Sequence, residues 1–254
     1  MSAINNTAIA GGQAASGSGA KCWCCDARGV DHFCIACGKI QPPQAVDYFR
    51  FFGLPRKLGI DVPALEREFY RLSRRLHPDV YARASREEQE WSLQTSSLLN
   101  DAYRTLKDPI ARTEYLLKLE GVQLEEQSKA ATDRARQTGE QKKQVIPPEM
   151  LEEVFELNMQ LEEARINKKM GEVDEDLKRE LDEKKRDFEG KLNQLADELV
   201  GHWSRWDALI EREQRGESVP EEERRALRDR MVGVLNRRTY VRNLVRDVNQ
   251  VLED

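Results

Sequence analysis

DVPALEREFYRLSRRLHPD, residues 61–79, is the stretch on which the fold turns. Asp61 is a good N-cap and Pro63 suits the first turn of a helix. Leu65, Phe69, Leu72 and Leu76 then follow at spacings of four, three and four, the repeat of one buried helix face. Arg67, Arg71, Arg74 and Arg75 make up a second, turn-spaced face. Pro78 stops the helix, because a proline disfavours the helical region for His77 and has no N–H for the ladder. A rigid corner is left, His77-Pro78-Asp79, whose polar neighbours argue against burial of the imidazole. Taken alone, those three residues could be an ordinary helix-ending turn capped by Asp79. Their place after an arginine-bearing helix and before another capped helix is what sets them apart.

Working outward, a short helix is expected over Ala45–Phe52, stopped by Gly53 and Pro55. On the other side Ser85 and Glu88 form a capping box and open a helix whose inner face is expected to carry Trp91, Leu98, Ala102 and Leu106. Asp108-Pro109 starts a fourth helix through Tyr115, Leu116, Leu117 and Leu119, closed by Gly121. Residues 122–146 are polar and read as a linker. Beyond them the pattern is helical again. One helix follows Pro147-Pro148 and is expected to bury Leu151, Val154 and Leu161. A second runs from about Val173 to Ile210 with Leu177, Leu181, Phe188, Leu192, Leu195, Leu199 and Trp206 on one stripe. A third begins near Ser218 and runs through Leu227, Met231, Val234, Val241, Val245 and Val248. Helices of this length must pack along their length, so an antiparallel hairpin with the first helix alongside is expected. The fold class is mainly α: a small knuckle module, a helical hairpin and a C-terminal three-helix bundle.

All five cysteines lie between Cys22 and Cys37. Cys22-x2-Cys25 and Cys34-x2-Cys37 are two short knuckles, each able to offer two sulfurs to one tetrahedral ion, and four thiolates close the shell as in structural zinc. Gly38 follows the second pair, where a tight turn helps backbone amides point at sulfur. Cys24 could replace Cys25, His32 could replace a thiol, the thiols could be free or oxidised, and the same four ligands could hold iron. A module this small cannot bury enough apolar area to fold unaided, so its ion is expected to be structural.

Composition narrows the function classes. The net charge of −5 and the nearly neutral knuckle region, Asp26 and Asp31 against Lys21, Arg28 and Lys39, argue against a zinc-ribbon nucleic-acid binder. No apolar run is long enough to span a membrane. Residues 1–20 lack the charged start of a secretory signal and the arginines of a transit peptide, and read as a disordered tail of a cytoplasmic protein. There is no Gly-rich phosphate loop. His202, Trp203 and Trp206, at helical spacing, read as packing.

Residues 47–121 resemble a J-domain. Asp47-Tyr48-Phe49, Phe52-Gly53-Leu54-Pro55, the run Leu99-Asn100-Asp101-Ala102-Tyr103-Arg104-Thr105-Leu106, and Pro109 with Arg112 and Glu114-Tyr115-Leu116-Leu117 resemble the HscB family more than general DnaJ proteins, whose Gly/Phe-rich and substrate-binding segments are absent. Cys22-Trp23, Phe33-Cys34 and Gln41-Pro42-Pro43 are similar to the zinc-bearing start of the longer, eukaryote-like members. The resemblance implies a co-chaperone, not an enzyme. Its partners would be a DnaK/HscA-type chaperone ATPase and an IscU-type iron–sulfur scaffold. His77, Pro78, Asp79, Arg67, Arg71, Arg74 and Arg75 would engage the ATPase. Leu151, Phe155, Glu156 and Glu163, with Tyr240 beside them, would engage the scaffold. Cys22, Cys25, Cys34 and Cys37 would hold Zn2+. Glu152 stands where the shorter bacterial pattern has an apolar residue, and Met159 where it has a Glu. The implied domains are a tail (1–20), a zinc module (21–43), a J-domain (45–121), a linker (122–146) and a scaffold-binding domain (147–254). The alternative is a general J-domain protein presenting other clients.

Overall fold

The computed structural model describes residues 20–29, 31–122, 150–171 and 174–253. The tail expected over 1–20, all but its last residue, lies outside the described residues, as do the expected linker beyond Val122 and Pro147-Pro148. The chain divides into two compact units, one running to Arg56 and resuming at Ile60–Asp108, the other made of Lys57–Gly59 and Pro109–Asp254. The described residues are helical, with only isolated bridges of extended chain in the cysteine knuckles.

The first unit holds the knuckles and three helices: α1 (Tyr48–Phe51), α2 (Val62–Leu76) and α3 (Arg86–Lys107). Helix α1 is a single turn, shorter than expected. Asp47 caps it by accepting the Arg50 amide at 3.0 Å, and Gly53 leaves it at φ +66. Helix α2 starts as its sequence requires, with Asp61 accepting the Ala64 amide at 3.0 Å. Leu65, Leu72 and Leu76 are buried, and Phe69 stacks on Tyr103 with ring centroids 4.1 Å apart. Helix α3 opens with the Ser85–Glu88 capping box.

Ala102 and Leu106 lie on the inner face of α3 as expected, but in the first half of the helix the face is one residue off the expected Trp91 and Leu98. Ser92, Thr95, Leu99, Ala102 and Leu106 are buried, while Trp91 and Leu98 are only partly covered. A hydrophobicity reading passes over Ser92 and Thr95, yet Ser92 is buried for a reason. Its hydroxyl and that of Ser96 donate to the carbonyl of Leu76 at 2.6 and 2.7 Å. That carbonyl belongs to the last turn of α2, where no later amide continues the ladder. At the other end of the pair Tyr103 donates to Glu66 at 2.9 Å. Leu76 meets residues 92–96 while Glu66 meets Tyr103, so α2 and α3 run antiparallel.

The second unit contains α4 (Pro109–Leu119), α5 (Leu151–Met170), α6 (Glu175–Gln214) and α7 (Glu221–Glu253). Asp174 caps α6 by accepting the amides of Asp176 and Leu177, both at 3.0 Å. At 1.5 Å per residue its 40 residues extend about 60 Å. The ion pairs Arg212–Glu223 and Arg237–Glu198, at 3.0 and 2.7 Å, show α6 and α7 antiparallel. Gln160–Glu180 and Glu156–Lys184, at 2.8 and 2.6 Å, do the same for α5 and α6. Val154, Leu157, Leu161, Leu181, Phe188, Val241 and Val248 fill the core between them. Two expectations for these helices need correcting. Leu151 is 51% exposed rather than buried, and the α6 stripe also buries Trp203 and Leu209 while Leu192 and Leu195 lie at its edge.

The short segment 57–59 is tied into this second unit. Asp207 accepts the amides of Leu58 and Gly59, both at 2.7 Å, and Lys57 pairs with Glu211 at 2.7 Å. No described helix is long and apolar enough to cross a membrane.

Candidate functional site

The four expected cysteines converge. Cys22, Cys25, Cys34 and Cys37 place their sulfurs within 4.8 Å of one another, with Cys22–Cys37 at 3.7 Å and Cys25–Cys34 at 3.6 Å. A tetrahedral ion with bonds of about 2.3 Å to sulfur needs sulfur–sulfur edges of about 3.8 Å, so the shell fits. None of the five cysteines is in a disulfide. Cys24 and His32, the alternative ligands, are outside the cluster, and His32 Nε2 instead lies 2.9 Å from the carbonyl of Phe51.

The two knuckles are the same device repeated twelve residues apart. Cys22 N donates to Ala27 O at 2.8 Å, and Cys34 N to Lys39 O at 2.9 Å. The amides of Cys24 and Ala36 point at the sulfurs of Cys22 and Cys34 at 3.4 and 3.3 Å. Asp26 and Gly38 take the left-handed conformation, φ 58 and 72, at matching positions. Each knuckle supplies one buried thiol, Cys22 or Cys34, and one exposed thiol, Cys25 or Cys37.

Crowding four thiols drives their acidities apart. Burial pushes the Cys22 thiol up, but the amides of Cys24 and Cys25 and the thiols of Cys34 and Cys37 outweigh it and bring it to about 6. The Lys39 amide pulls Cys37 down, but burial and the other three sulfurs outweigh it and push that thiol to about 12. Four thiolates need a cation among them to share this space.

The module is built into the core of the first unit. Ile40 is buried together with Phe51, Leu72, Leu76 and Leu99. Trp23 meets Trp91 edge-on at 5.5 Å and donates its indole N–H to the Ile40 carbonyl at 2.7 Å. Lys39 pairs at 2.8 Å with Glu88, the buried carboxylate of the α3 capping box. The hydrogen bond from Lys39 holds the Glu88 carboxyl below its ordinary value. Sequence reasoning missed this docking surface. Its residues have no shared periodicity, and only the two tryptophans hinted at it.

The His77-Pro78-Asp79 corner is exposed. Pro78–Tyr81 form one tight 3-10 turn, and the Asp79 side chain is 90% exposed. His77 Nδ1 lies 3.3 Å from the Asp79 amide and 3.4 Å from its carboxylate, so the two side chains are held as a pair. All four expected arginines are exposed. At about 100° per residue Arg67, Arg71 and Arg74 face away from Leu65, Leu72 and Leu76, while Arg75 lies toward the edge of that buried face, about 60° from Leu72. Arg71 is engaged with Glu68, its Nε donating at 2.7 Å. Arg75 stacks on the ring of Phe33 at 3.8 Å.

The expected scaffold face divides. Leu151, Phe155, Glu156 and Glu163 are exposed on α5, Phe155 by 68%. Tyr240 is 6% exposed and sits in the core of the second unit, so it is not part of that surface; burial raises its phenol. Met159, Ile166 and Met170 are also exposed. With Leu151 and Phe155 they are spaced four, four, seven and four, which keeps them in one stripe. The sequence carried this signal as an apolar series offset from Val154, Leu157 and Leu161, and only its first half was read. Exposed apolar side chains gathered on one helix face are a feature that interaction surfaces share. His202, Trp203 and Trp206 pack as expected: Arg112 lies over Trp203 at 5.0 Å, Trp206 is fully buried, and burial pushes the pKa of His202 below its ordinary value.

No protein-family model matches the chain. The iron–sulfur cluster co-chaperone protein HscB of Mus musculus is 31% identical over 193 residues, 73% of this chain and 75% of that protein. The HscB homolog of Arabidopsis thaliana is 33% identical over 168 residues, 64% of this chain and 61% of its own length. The crystal structure of human co-chaperone protein HscB superposes with a TM-score of 0.59, covering 91% of this chain and 98% of that one. At 22% identity that last likeness speaks for the fold.

Proposed function

Because this chain belongs to the HscB family of iron–sulfur cluster co-chaperones, we propose that it stimulates a DnaK/HscA-type chaperone ATPase and brings to it an IscU-type iron–sulfur scaffold. The observation that carries this reading is the exposed His77-Pro78-Asp79 corner at the end of an arginine-faced helix. A cationic face steers and orients an acidic partner, while a rigid corner supplies specificity. In this reading the J-domain spans 45–121 and contributes Arg67, Arg71, Arg74, Arg75, His77, Pro78 and Asp79. The chain itself does no chemistry; it speeds hydrolysis on its partner.

The scaffold docks on α5, in the region 147–254. Phe155 is the anchor, a large exposed aromatic flanked by Leu151 and Met159, with Glu156 and Glu163 at the rim. The four thiolates hold zinc, which supplies a structural cross-link and no reactivity. Five cysteines without disulfides suit a reducing compartment, and the cytoplasm is the location we infer.

Steady-state ATPase of the cognate chaperone, with and without scaffold, tests the proposal. Asp79→Asn is expected to abolish stimulation while leaving scaffold binding and stability unchanged, because its side chain touches no core. Phe155→Ser is expected to do the reverse, losing scaffold binding but keeping stimulation. Retained stimulation by Asp79→Asn would overturn the J-domain assignment. Binding of unfolded clients in place of the scaffold would point to a general J-domain protein.

A further inference from the structure

We propose that Phe33, a residue of the cysteine module, positions Arg75 for the chaperone ATPase, so that the metal module sets part of the docking face. This rests on the reading above that α2 meets such a partner.

The arginines of α2 are held in different ways. Arg71 spends Nε and Nη2 on Glu68. Arg75 lies with its guanidinium carbon 3.8 Å from the centroid of the Phe33 ring. Stacking on a ring uses the face of a guanidinium and leaves its five N–H donors on the edge for another molecule. Arg75 is also exposed and sits two residues before His77. It is thus ordered yet chemically unspent, beside the corner that confers specificity.

The ring is itself fixed. Phe33 precedes Cys34 of the thiol cluster, forms an isolated antiparallel bridge with Ile40 across the knuckle, and packs against the core that includes Phe51, Leu72 and Leu76. The backbone beneath Arg75 is fixed as well, its carbonyl accepting the Tyr81 hydroxyl at 3.2 Å. Ordering a long side chain before binding removes part of the entropy cost of docking. The module therefore acts on the partner through Arg75 without touching it.

A double-mutant cycle on the full-length, metal-loaded chain tests this, reading Kd for the ATP-bound chaperone by calorimetry and metal content by chelator titration. Phe33→Leu is expected to weaken binding about three- to tenfold with metal content unchanged, and Phe33→Tyr, which keeps a ring, to bind as wild type. In an Arg75→Ala background, Phe33→Leu is expected to add nothing. The Arg75 Nε–H resonance should carry a ring-current shift that Phe33→Leu removes. Wild-type affinity in Phe33→Leu would overturn the proposal, as would an equal loss in the Arg75→Ala background, which would mean that the ring only holds the fold. A wild-type chain that does not bind the chaperone would overturn the underlying reading, and this inference with it. If the Arg75 shift is seen all the same, the stacking stands and the partner alone is wrong.

Discussion

Single atoms decide several features of this protein. Gly59 carries no side chain because Asp207 is in the way: a Cβ there would stand 2.7 Å from a carboxylate oxygen. That carboxylate accepts two backbone amides, so Gly59→Ala is expected to displace it and cost about 1–3 kcal/mol. Urea denaturation would measure this, and in an Asp207→Ala background the same substitution should cost little. Glu88 gives a pH-dependent case. Its carboxyl is held below its ordinary value of 4.5 by the hydrogen bond from Lys39. Its contribution is therefore complete above pH 4.5 and fades as the pH falls through its lower folded value. Acid protonates the thiolates too, so the quantity to read is the difference between wild type and Glu88→Gln. Amide exchange at Cys34–Ile40 should separate the two proteins at neutral pH and converge in acid; a constant gap would show that Lys39 does not govern Glu88. Legibility at this scale followed chemistry. Caps, the proline stop and the thiol spacing were readable because each depends on near neighbours in the chain. Asp207 with Gly59 and Lys39 with Glu88 were not, because 148 and 49 residues separate the partners.

Among the elements, α2 and α3 show how a polar position can serve a helix pair. The Leu76 carbonyl accepts both Ser92 and Ser96. Ser92→Ala or Ser96→Ala alone leaves one donor and is expected to cost about 0.5–1 kcal/mol. The double substitution strands a buried carbonyl and should exceed the sum of the two, which a thermal-unfolding cycle would detect; strict additivity would mean that only one hydroxyl matters. The same serine accounts for the one-residue slip in the reading of the first half of α3, since an apolar pattern cannot announce a buried hydroxyl; Ala102 and Leu106 were read correctly. The α5 reading failed in the opposite direction. Leu151 looked like core because apolar residues at helical spacing usually are, yet α5 bears two apolar stripes and only the one through Val154, Leu157 and Leu161 is covered. Most helix starts and stops were legible to within a few residues, the single turn of α1 excepted; which of two greasy faces meets a neighbour was not, since that depends on where the neighbours lie.

At the level of the whole molecule, each unit has a core of its own, and the cysteine module belongs to one of them through Ile40. Metal loss should therefore be felt beyond the knuckles. Cys34→Ser is expected to lower metal content and also to loosen Phe51, Leu72 and Leu76, while the core around Phe188 and Val248 stays protected from exchange. Protection lost only within the knuckles would show that Ile40 contributes little to the shared core. The unequal exposure of the four cysteines has a kinetic corollary. A thiol reagent can reach Cys25 and Cys37 directly, whereas Cys22 and Cys34 are shielded until the loops part. Whatever ion the centre holds should leave in two stages, hanging for a time from the shielded pair, and partial alkylation followed by mass spectrometry should find the outer thiols tagged while the inner ones are still intact.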